Sequence, residues 1–289
     1  MNAAQKLYFI LIVSNAGGEG KTLIAEVIKA LFQLSGERVS LLDADAGNGA
    51  ARVSDSSARS VGWGVGAITA PNILDACREQ NVILDLGANS LASQREIVEL
   101  IPALRDGFVS AGYNALALLP ITPLKLGAAD AILNLAAKID GFEKVFIRND
   151  RNNTRQFDER FYRTNAAQLG YLQPGFIAYL RGRDSSMSEA VLAPSQNYRL
   201  AAHCIAAWMR DFAEEPALKG MFEPALTRLK SLPPPPSPLA YSINSLTSAT
   251  DDALESNVTK TRILASIDEH GWHPAGLRKV ADELTRAAS

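Results

Sequence analysis

The chain is poor in the residues that build covalent or metal-held scaffolds. It has two cysteines, Cys77 and Cys204, and three histidines, His203, His270 and His273. Neither cysteine belongs to a CxxC pair, which excludes a disulfide framework and a zinc ribbon. His270 and His273 are close in sequence, but Gly271 and Pro274 interrupt any helix that would set them around a metal. The thiols read as reduced groups inside a protein of the cytosol. An excess of one charge is also missing: 29 Lys+Arg against 31 Asp+Glu leave a formal net charge of −2. A globally basic surface is excluded, so contact with nucleic acid or membrane has to come from a local patch. The apolar run Leu7–Val13 is too short to cross a bilayer, which takes about 20 residues. A Gly-rich turn follows it at once, which is not the shape of a signal peptide. It reads as a buried strand, and a cytoplasmic location is expected by elimination.

What is present is an ordinary globular composition, 47% hydrophobic and 21% charged over 289 residues. That length accommodates one large α/β domain with a small appendage. Leu7–Val13 is continuous, branched and aromatic, the pattern of a central parallel strand covered on both faces. Lys21–Leu34 carries Leu23, Ile24, Val27, Ile28, Leu31 and Phe32 at helical spacing, and Gly36 ends that helix. Further strands are expected at Arg38–Leu42, Asn81–Asp85, Ala115–Ile121, Lys144–Arg148 and Gly175–Tyr179. Helices are expected at Ser93–Leu104, Gly127–Ile139, Phe157–Gly170, Ser186–Ala193 and Tyr198–Phe212. Residues 47–72, rich in Gly, Ser and Ala, read as a loop with at most a short helix. Strands alternating with helices predict a doubly wound, mostly parallel sheet flanked by helices. The composition changes after about Leu229. The organisation expected is a main α/β domain over 1–229, a Pro/Ser-rich linker over 230–258 opened by Pro233–Pro238, and a small helical tail over 259–289.

The chemistry concentrates at Ser14-Asn-Ala-Gly-Gly-Glu-Gly-Lys-Thr22, between the first strand and the first helix. Glycines there let successive backbone N–H groups turn toward a phosphate, and the helix directs its positive end at the same place. Lys21 supplies a charge to the β- and γ-phosphates, and the Thr22 hydroxyl is placed to ligate Mg²⁺. The strict P-loop spacing wants glycine where Asn15 stands. Two acidic motifs fall where such a site needs them: Asp43-Ala-Asp45 ends the second strand and Asp85 ends the third, on the same carboxyl edge of a parallel sheet. One carboxylate can hold the water shell of Mg²⁺ and another can orient an attacking water. Taken singly, an aspartate at a strand end is as readily a helix cap or turn residue.

Gly17-Gly-Glu-Gly-Lys-Thr22, Asp43-Ala-Asp45 and Val82-Ile-Leu-Asp85 resemble the deviant Walker A, switch and Walker B motifs of the ParA/MinD family of ATPases. Phe146-Ile-Arg-Asn149 resembles the strand-end segment whose asparagine recognises adenine. Gly175-Phe-Ile-Ala-Tyr179 with Ser188-Glu-Ala190 resembles the family's last strand and loop. The resemblance covers about residues 7–212. It implies a P-loop fold that binds ATP and Mg²⁺, with Gly17, Gly18, Glu19, Gly20, Lys21, Thr22 and Asn149 at the nucleotide. Thr22, Asp43 and Asp85 would lie at the metal, and Asp45 and Lys21 would be catalytic. It also implies an ATP-dependent homodimer that positions plasmids, chromosomes or cell machinery. The short segment between Asp45 and Asp85 is most similar to members found beside plasmid stability and conjugation genes.

The chain departs from that family at Ala16, where the family has its signature lysine, the residue that reaches the partner's phosphates across the dimer. Its loss removes charge from the transition state, where such contacts are worth several kcal/mol. Glu19 places a carboxylate in the loop, which repels ligand anions unless it points outward. Hydrolysis is therefore open, and Lys125 is one candidate substitute for the missing charge. Eight basic residues (Lys144, Arg148, Arg151, Arg155, Arg160, Arg163, Arg181 and Arg183) make a candidate nonspecific DNA surface over 144–183, or else a solvated helix face. The last helix bears only the weak stripe Leu277, Val280, Ala281 and Leu284, which fits docking on its own chain or a protein partner better than a membrane. Three functions compete: an ATP-driven protein of DNA maintenance or transfer, a non-hydrolysing nucleotide-binding scaffold that switches a protein partner, and a small-molecule kinase or ligase. No motif for a second substrate is visible.

Overall fold

The computed structural model describes residues 6–44, 58–60, 70–87, 95–123, 127–181, 186–194 and 198–232. Among these, residues up to Leu192 together with Ile205–Leu232 form one compact unit, which holds the sheet. Residues 193–194 and 198–204 belong to a second unit.

Strand β1 (Tyr8–Ile12) leads through the loop at 13–20 into helix α1 (Lys21–Leu34), and β2 (Val39–Ala44) follows. The two-residue β3 (Arg59–Ser60), α2 (Ala70–Ala76), β4 (Asn81–Leu86) and α3 (Arg95–Ser110) come next. Then come β5 (Asn114–Ile121), α4 (Ala128–Lys138), β6 (Glu143–Asn149), a 3₁₀ turn at Glu159–Tyr162 and β7 (Ala166–Leu169). Helices α5 (Pro174–Arg181), α6 (Met187–Leu192), α7 (Arg199–Ala213) and α8 (Glu223–Lys230) close the described chain. The sheet runs β3-β2-β4-β1-β5-β6-β7, with every neighbouring pair parallel. The chain winds outward from β1 in one direction and then in the other, which is the doubly wound α/β fold expected from the alternation of elements.

Alternation along β1 shows why its run is apolar throughout. Ile10 and Ile12 face one core with α1, α6, α8 and the Ile205–Ala213 part of α7, while Phe9 and Leu11 face another with α2, α3 and α4. Phe9 stacks on Phe108 of α3 at 4.6 Å between ring centroids. A strand buried on both faces has no polar side to show. At the amino edge of the sheet, the fully buried Asn81 accepts from the Tyr8 N–H at 2.9 Å and donates to Glu37 Oε2 at 2.6 Å. It joins β1, β2 and β4 on the side away from the phosphate loop.

Two expected elements are replaced. Phe157–Gly170 is not a helix: after the 3₁₀ turn, which Asp158 caps by accepting from the Arg160 N–H at 3.1 Å, the chain becomes edge strand β7. Ala167 and Leu169 alternate into the core, a period of two confined to four residues. The unpaired edge of β6 decides the matter, since pairing with it satisfies backbone groups that an isolated short helix would not better. Gly175–Tyr179 is not a strand but the first turns of α5. Pro174 opens that helix, where its missing N–H costs nothing, and Phe176, Ile177 and Leu180 pack on the core at helical spacing. The last parallel strand is therefore β7, not the segment around Ile177. Within the loop expected at 47–72, Arg59–Ser60 pairs with β2, and α2 starts at Ala70. Helix α3 continues past Leu104 to Ser110 with Pro102 inside it. Helix α8, with Pro224 in its first turn, has no counterpart in the sequence reading. The Pro-rich segment, the linker and the helical tail lie outside the described residues.

Candidate functional site

The carboxyl ends of β1, β2, β4, β5 and β6 meet around the loop Ser14–Gly20, at the point where the winding reverses. Ligands of open α/β sheets sit at this position. Gly18 (φ 77°) and Gly20 (φ 84°) take the left-handed conformation that side-chain-bearing residues resist. Gly20 is also the N-cap of α1, so no capping side chain covers the positive end of that helix.

The side chains named by the sequence gather here in a defined pattern. Lys21 Nζ donates to Ser14 Oγ at 3.1 Å, and Ser14 Oγ donates to the Ala16 carbonyl at 2.8 Å. Thr22 Oγ1 donates to Asp85 Oδ2 at 3.1 Å. Asp43 is the register partner of Asp85 on the adjacent parallel strand, so the two buried carboxylates are side-by-side neighbours at one sheet edge. Thr22, Asp43 and Asp85 form a donor set of hard oxygens only. No group of three His, Cys, Asp or Glu able to cage a metal occurs among the described residues. Mg²⁺ suits such a set, because it retains water and takes phosphate oxygens beside one or two protein oxygens. Asp45, expected to handle the hydrolytic water, and Lys125 lie outside the described residues.

Four residues behave in ways the sequence did not disclose. Glu19 is 4% exposed and its Oε2 accepts from Thr122 Oγ1 at 2.8 Å, so the carboxylate points to the end of β5. Asn15, standing where the strict motif has glycine, donates from Nδ2 to the Ala131 carbonyl in the first turn of α4 and braces the loop against that helix. Asn149 reaches the site, but its Nδ2 donates to the Glu19 carbonyl at 2.9 Å, tying the end of β6 to the loop. Arg151 joins it: its guanidinium donates to the Gly18 carbonyl. Spacing had placed Arg151 only in a basic patch, and no one-dimensional signal links it to Gly18.

That patch is smaller than its composition. Arg160 bridges Asp158 and Asp130, at 2.8 Å and 2.7 Å, and Arg148 lies over the Tyr162 ring at 4.8 Å. Hydrogen bonds from Arg160 hold the Asp158 carboxyl down at about 2. Both thiols are free, with Cys77 buried as expected and Cys204 only partly so. Burial raises Cys77, with an opposing hydrogen bond from Ser40, and burial pushes Cys204 up to about 11.

No protein-family model matches the chain, and no curated protein matches it. Solved structures do show likeness. The MinD cell division protein of Aquifex aeolicus is 15% identical, with 79% of this chain and 100% of that one covered and a TM-score of 0.42. The septum site-determining protein MinD of Pyrococcus horikoshii, complexed with Mg-ADP, is 16% identical over 72% of this chain and 96% of that one, with a TM-score of 0.40. The signal recognition particle receptor FtsY of Elizabethkingia anophelis is 18% identical, with a TM-score of 0.39. That match covers 51% of this chain, which spans 52% of the receptor's length. These are likenesses of chain path, and the chemistry of the site rests on its own residues. No helix among the described residues is long and apolar enough to cross a membrane.

Proposed function

We propose that this chain is a Mg²⁺-dependent ATP-binding protein of the ParA/MinD kind. The observation that carries the reading is the hydrogen bond from Thr22 Oγ1 to Asp85 Oδ2, beside Lys21 and at the mouth of a Gly-rich strand-to-helix loop. Thr22, Asp85 and Asp43 would hold Mg²⁺, which would neutralise phosphate charge. Thr22 supplies a hydroxyl oxygen toward it, and Asp85 orients that hydroxyl. Asp43 adds negative charge on the neighbouring strand, and Lys21 supplies the cation toward the terminal phosphates. Glu19 keeps its carboxylate within the loop region and holds it on Thr122 at the end of β5. Isothermal titration calorimetry tests the reading: MgATP binds the wild type, and Lys21→Ala abolishes binding. Undiminished affinity in that variant sinks the site assignment.

The role supported by the motif resemblance is ATP-dependent positioning or maintenance of DNA, as in plasmid partition, stability or conjugative transfer, by a dimer formed on ATP. Retention on DNA at low salt, lost as salt rises, is the expected result; absence of retention at low salt refutes the role. The second reading is a non-hydrolysing scaffold that switches a protein partner by nucleotide occupancy. Ala16 favours it, as does the commitment of Arg148, Arg151 and Arg160 to partners within the fold. Turnover in the presence and absence of DNA, compared with Asp45→Ala, separates the two.

A further inference from the structure

The phosphate loop is braced on the end of β5 and the first turn of α4, and a hollow lies beside those braces. Asn15 donates to the Ala131 carbonyl, and Glu19 accepts from Thr122 Oγ1 at 2.8 Å. A recess of about 170 Å³ is lined by Asn15, Ala16 and Glu19 of the loop and by Ala131 of α4. It shares Ile121, Gly127 and Ala128 with a larger cavity of about 420 Å³. That volume falls in the range of small-molecule pockets, about 300–1,000 Å³. The described lining of the larger cavity includes none of Lys21, Thr22, Asp43 and Asp85, so it is separate from the phosphate and metal positions.

This cavity combines apolar walls with a charged rim. Ile121 and Phe161 are buried, and Phe157 packs on the same core. Phe161 also meets Phe146, at 5.1 Å between ring centroids. Arg160 ties two walls together. It donates to both oxygens of Asp158, the cap of its own 3₁₀ turn, at 2.8 Å each, and to Oδ1 of Asp130 on α4 at 2.7 Å. Two carboxylates thus share one guanidinium, and Asp130 joins the bridge through one oxygen only. The positive end of α4 supplies about half a charge, which offsets part of the negative surplus. Glu19, in the adjoining recess, adds to that surplus. Asp130 is exposed, so a ligand entering the cavity reaches it.

We propose that the cavity beside Ile121, Ala128 and Phe161 binds a small organic cation: a primary amine on an apolar body, the body against Phe157 and Phe161 and the ammonium on Asp130. An ammonium brings three donors and no acceptor, which suits a carboxylate with an oxygen to spare. The faces of the two phenylalanine rings attract the same positive charge. A carboxylate or phosphate on the ligand would instead enter a region where carboxylates outnumber the guanidinium. The proposal goes beyond the ATP reading and does not rest on it.

The test is an NMR titration of the full chain with three probes that share one phenyl body: phenethylamine, phenethyl alcohol and phenylpropionate. Phenethylamine is expected to bind about 3- to 30-fold more tightly than the alcohol, and phenylpropionate most weakly. Asp130→Asn keeps an acceptor for Arg160 and removes the charge. It should bring the amine down to the alcohol's affinity and leave the alcohol unchanged, whereas a structural disturbance would weaken both. Ala128→Phe fills the cavity and should weaken amine and alcohol alike, with urea unfolding showing that the variant is folded. Asp130→Asn, at an exposed side chain, decides the matter if Ala128→Phe does not fold. Equal affinity for amine and alcohol, tighter binding of phenylpropionate, or no binding of any probe overturns the proposal. So does undiminished amine affinity in folded Ala128→Phe, or equal loss of amine and alcohol in Asp130→Asn. Binding of MgATP enters none of these outcomes, so failure of the ATP reading is scored separately.

Discussion

Gly20→Ala tests the central geometry of the loop most sharply, because two separate costs meet at one atom. Gly20 has φ 84°, and a left-handed conformation costs an alanine about 1–2 kcal/mol. A Cβ built there falls on the Asn149 amide nitrogen, well inside contact distance. Asn149 is 4% exposed and has to move, breaking its 2.9 Å hydrogen bond to the Glu19 carbonyl. Leaving a buried carbonyl unsatisfied costs about 1–3 kcal/mol. The sum, about 2–5 kcal/mol, is a large part of a domain's usual 5–15 kcal/mol. The assay is urea unfolding of wild type, Gly20→Ala, Asn149→Ala and the double variant. Removing the Asn149 side chain removes the clash and the same hydrogen bond, so only the backbone strain adds in the double variant. Its cost should fall short of the sum of the single costs by about 1–3 kcal/mol. Additivity within about 0.5 kcal/mol refutes the reasoning, since it means that the two residues do not meet.

Three further outcomes follow from other parts of the structure. Asn81→Ala removes a buried bridge at the amino edge and leaves the Tyr8 N–H without its acceptor; a loss of about 1–3 kcal/mol in unfolding free energy is expected, with MgATP affinity unchanged, and a large fall in affinity would contradict it. Glu19→Gln keeps an acceptor for Thr122 and removes the loop's negative charge, so MgATP should bind more tightly; a carboxylate ~5 Å from phosphate contributes about 3 kcal/mol of repulsion at an effective dielectric of 20, and unchanged or weaker affinity refutes the reasoning. Asp158 has its folded value lowered to about 2, so its contribution is present above its ordinary value of 3.8 and disappears as pH falls through about 2. An NMR titration should show this, with Arg160→Ala returning Asp158 toward 3.8, and an unmoved midpoint in that variant refutes the cause.

Much was legible in one dimension because the relevant signals are local. Leu7–Val13, Asn81–Asp85 and Ala115–Ile121 carry apolar runs that only doubly covered strands require, and Lys21–Leu34 carries its helical period and its glycine stop within one segment. Candidate site residues Lys21, Thr22, Asp43 and Asp85 were readable because each stands at the junction of two such signals, where a strand ends or a helix begins. The segments 157–170 and 175–179 depart from their sequence expectation for the same reason in reverse. Ala166–Leu169 is too short to show a period, and Phe176, Ile177 and Tyr179 have strand propensity that the proline start and helical packing override.

The sequence by itself determined the parallel α/β order, the Gly-rich loop and the acidic strand ends, since backbone preference and burial pattern are written in neighbouring residues. Tertiary structure alone decided where the loop's polar groups are spent: Glu19 on Thr122, Asn15 on Ala131, Asn149 on the Glu19 carbonyl and Arg151 on the Gly18 carbonyl. These pairs lie more than a hundred residues apart, and hydrogen bonds act over about 3 Å of space, whatever the distance along the chain. Ala16 and Glu19 are thus two departures of different kinds. The carboxylate of Glu19 is accounted for by its partner, whereas the side chain that Ala16 lacks is absent from the composition of the loop itself.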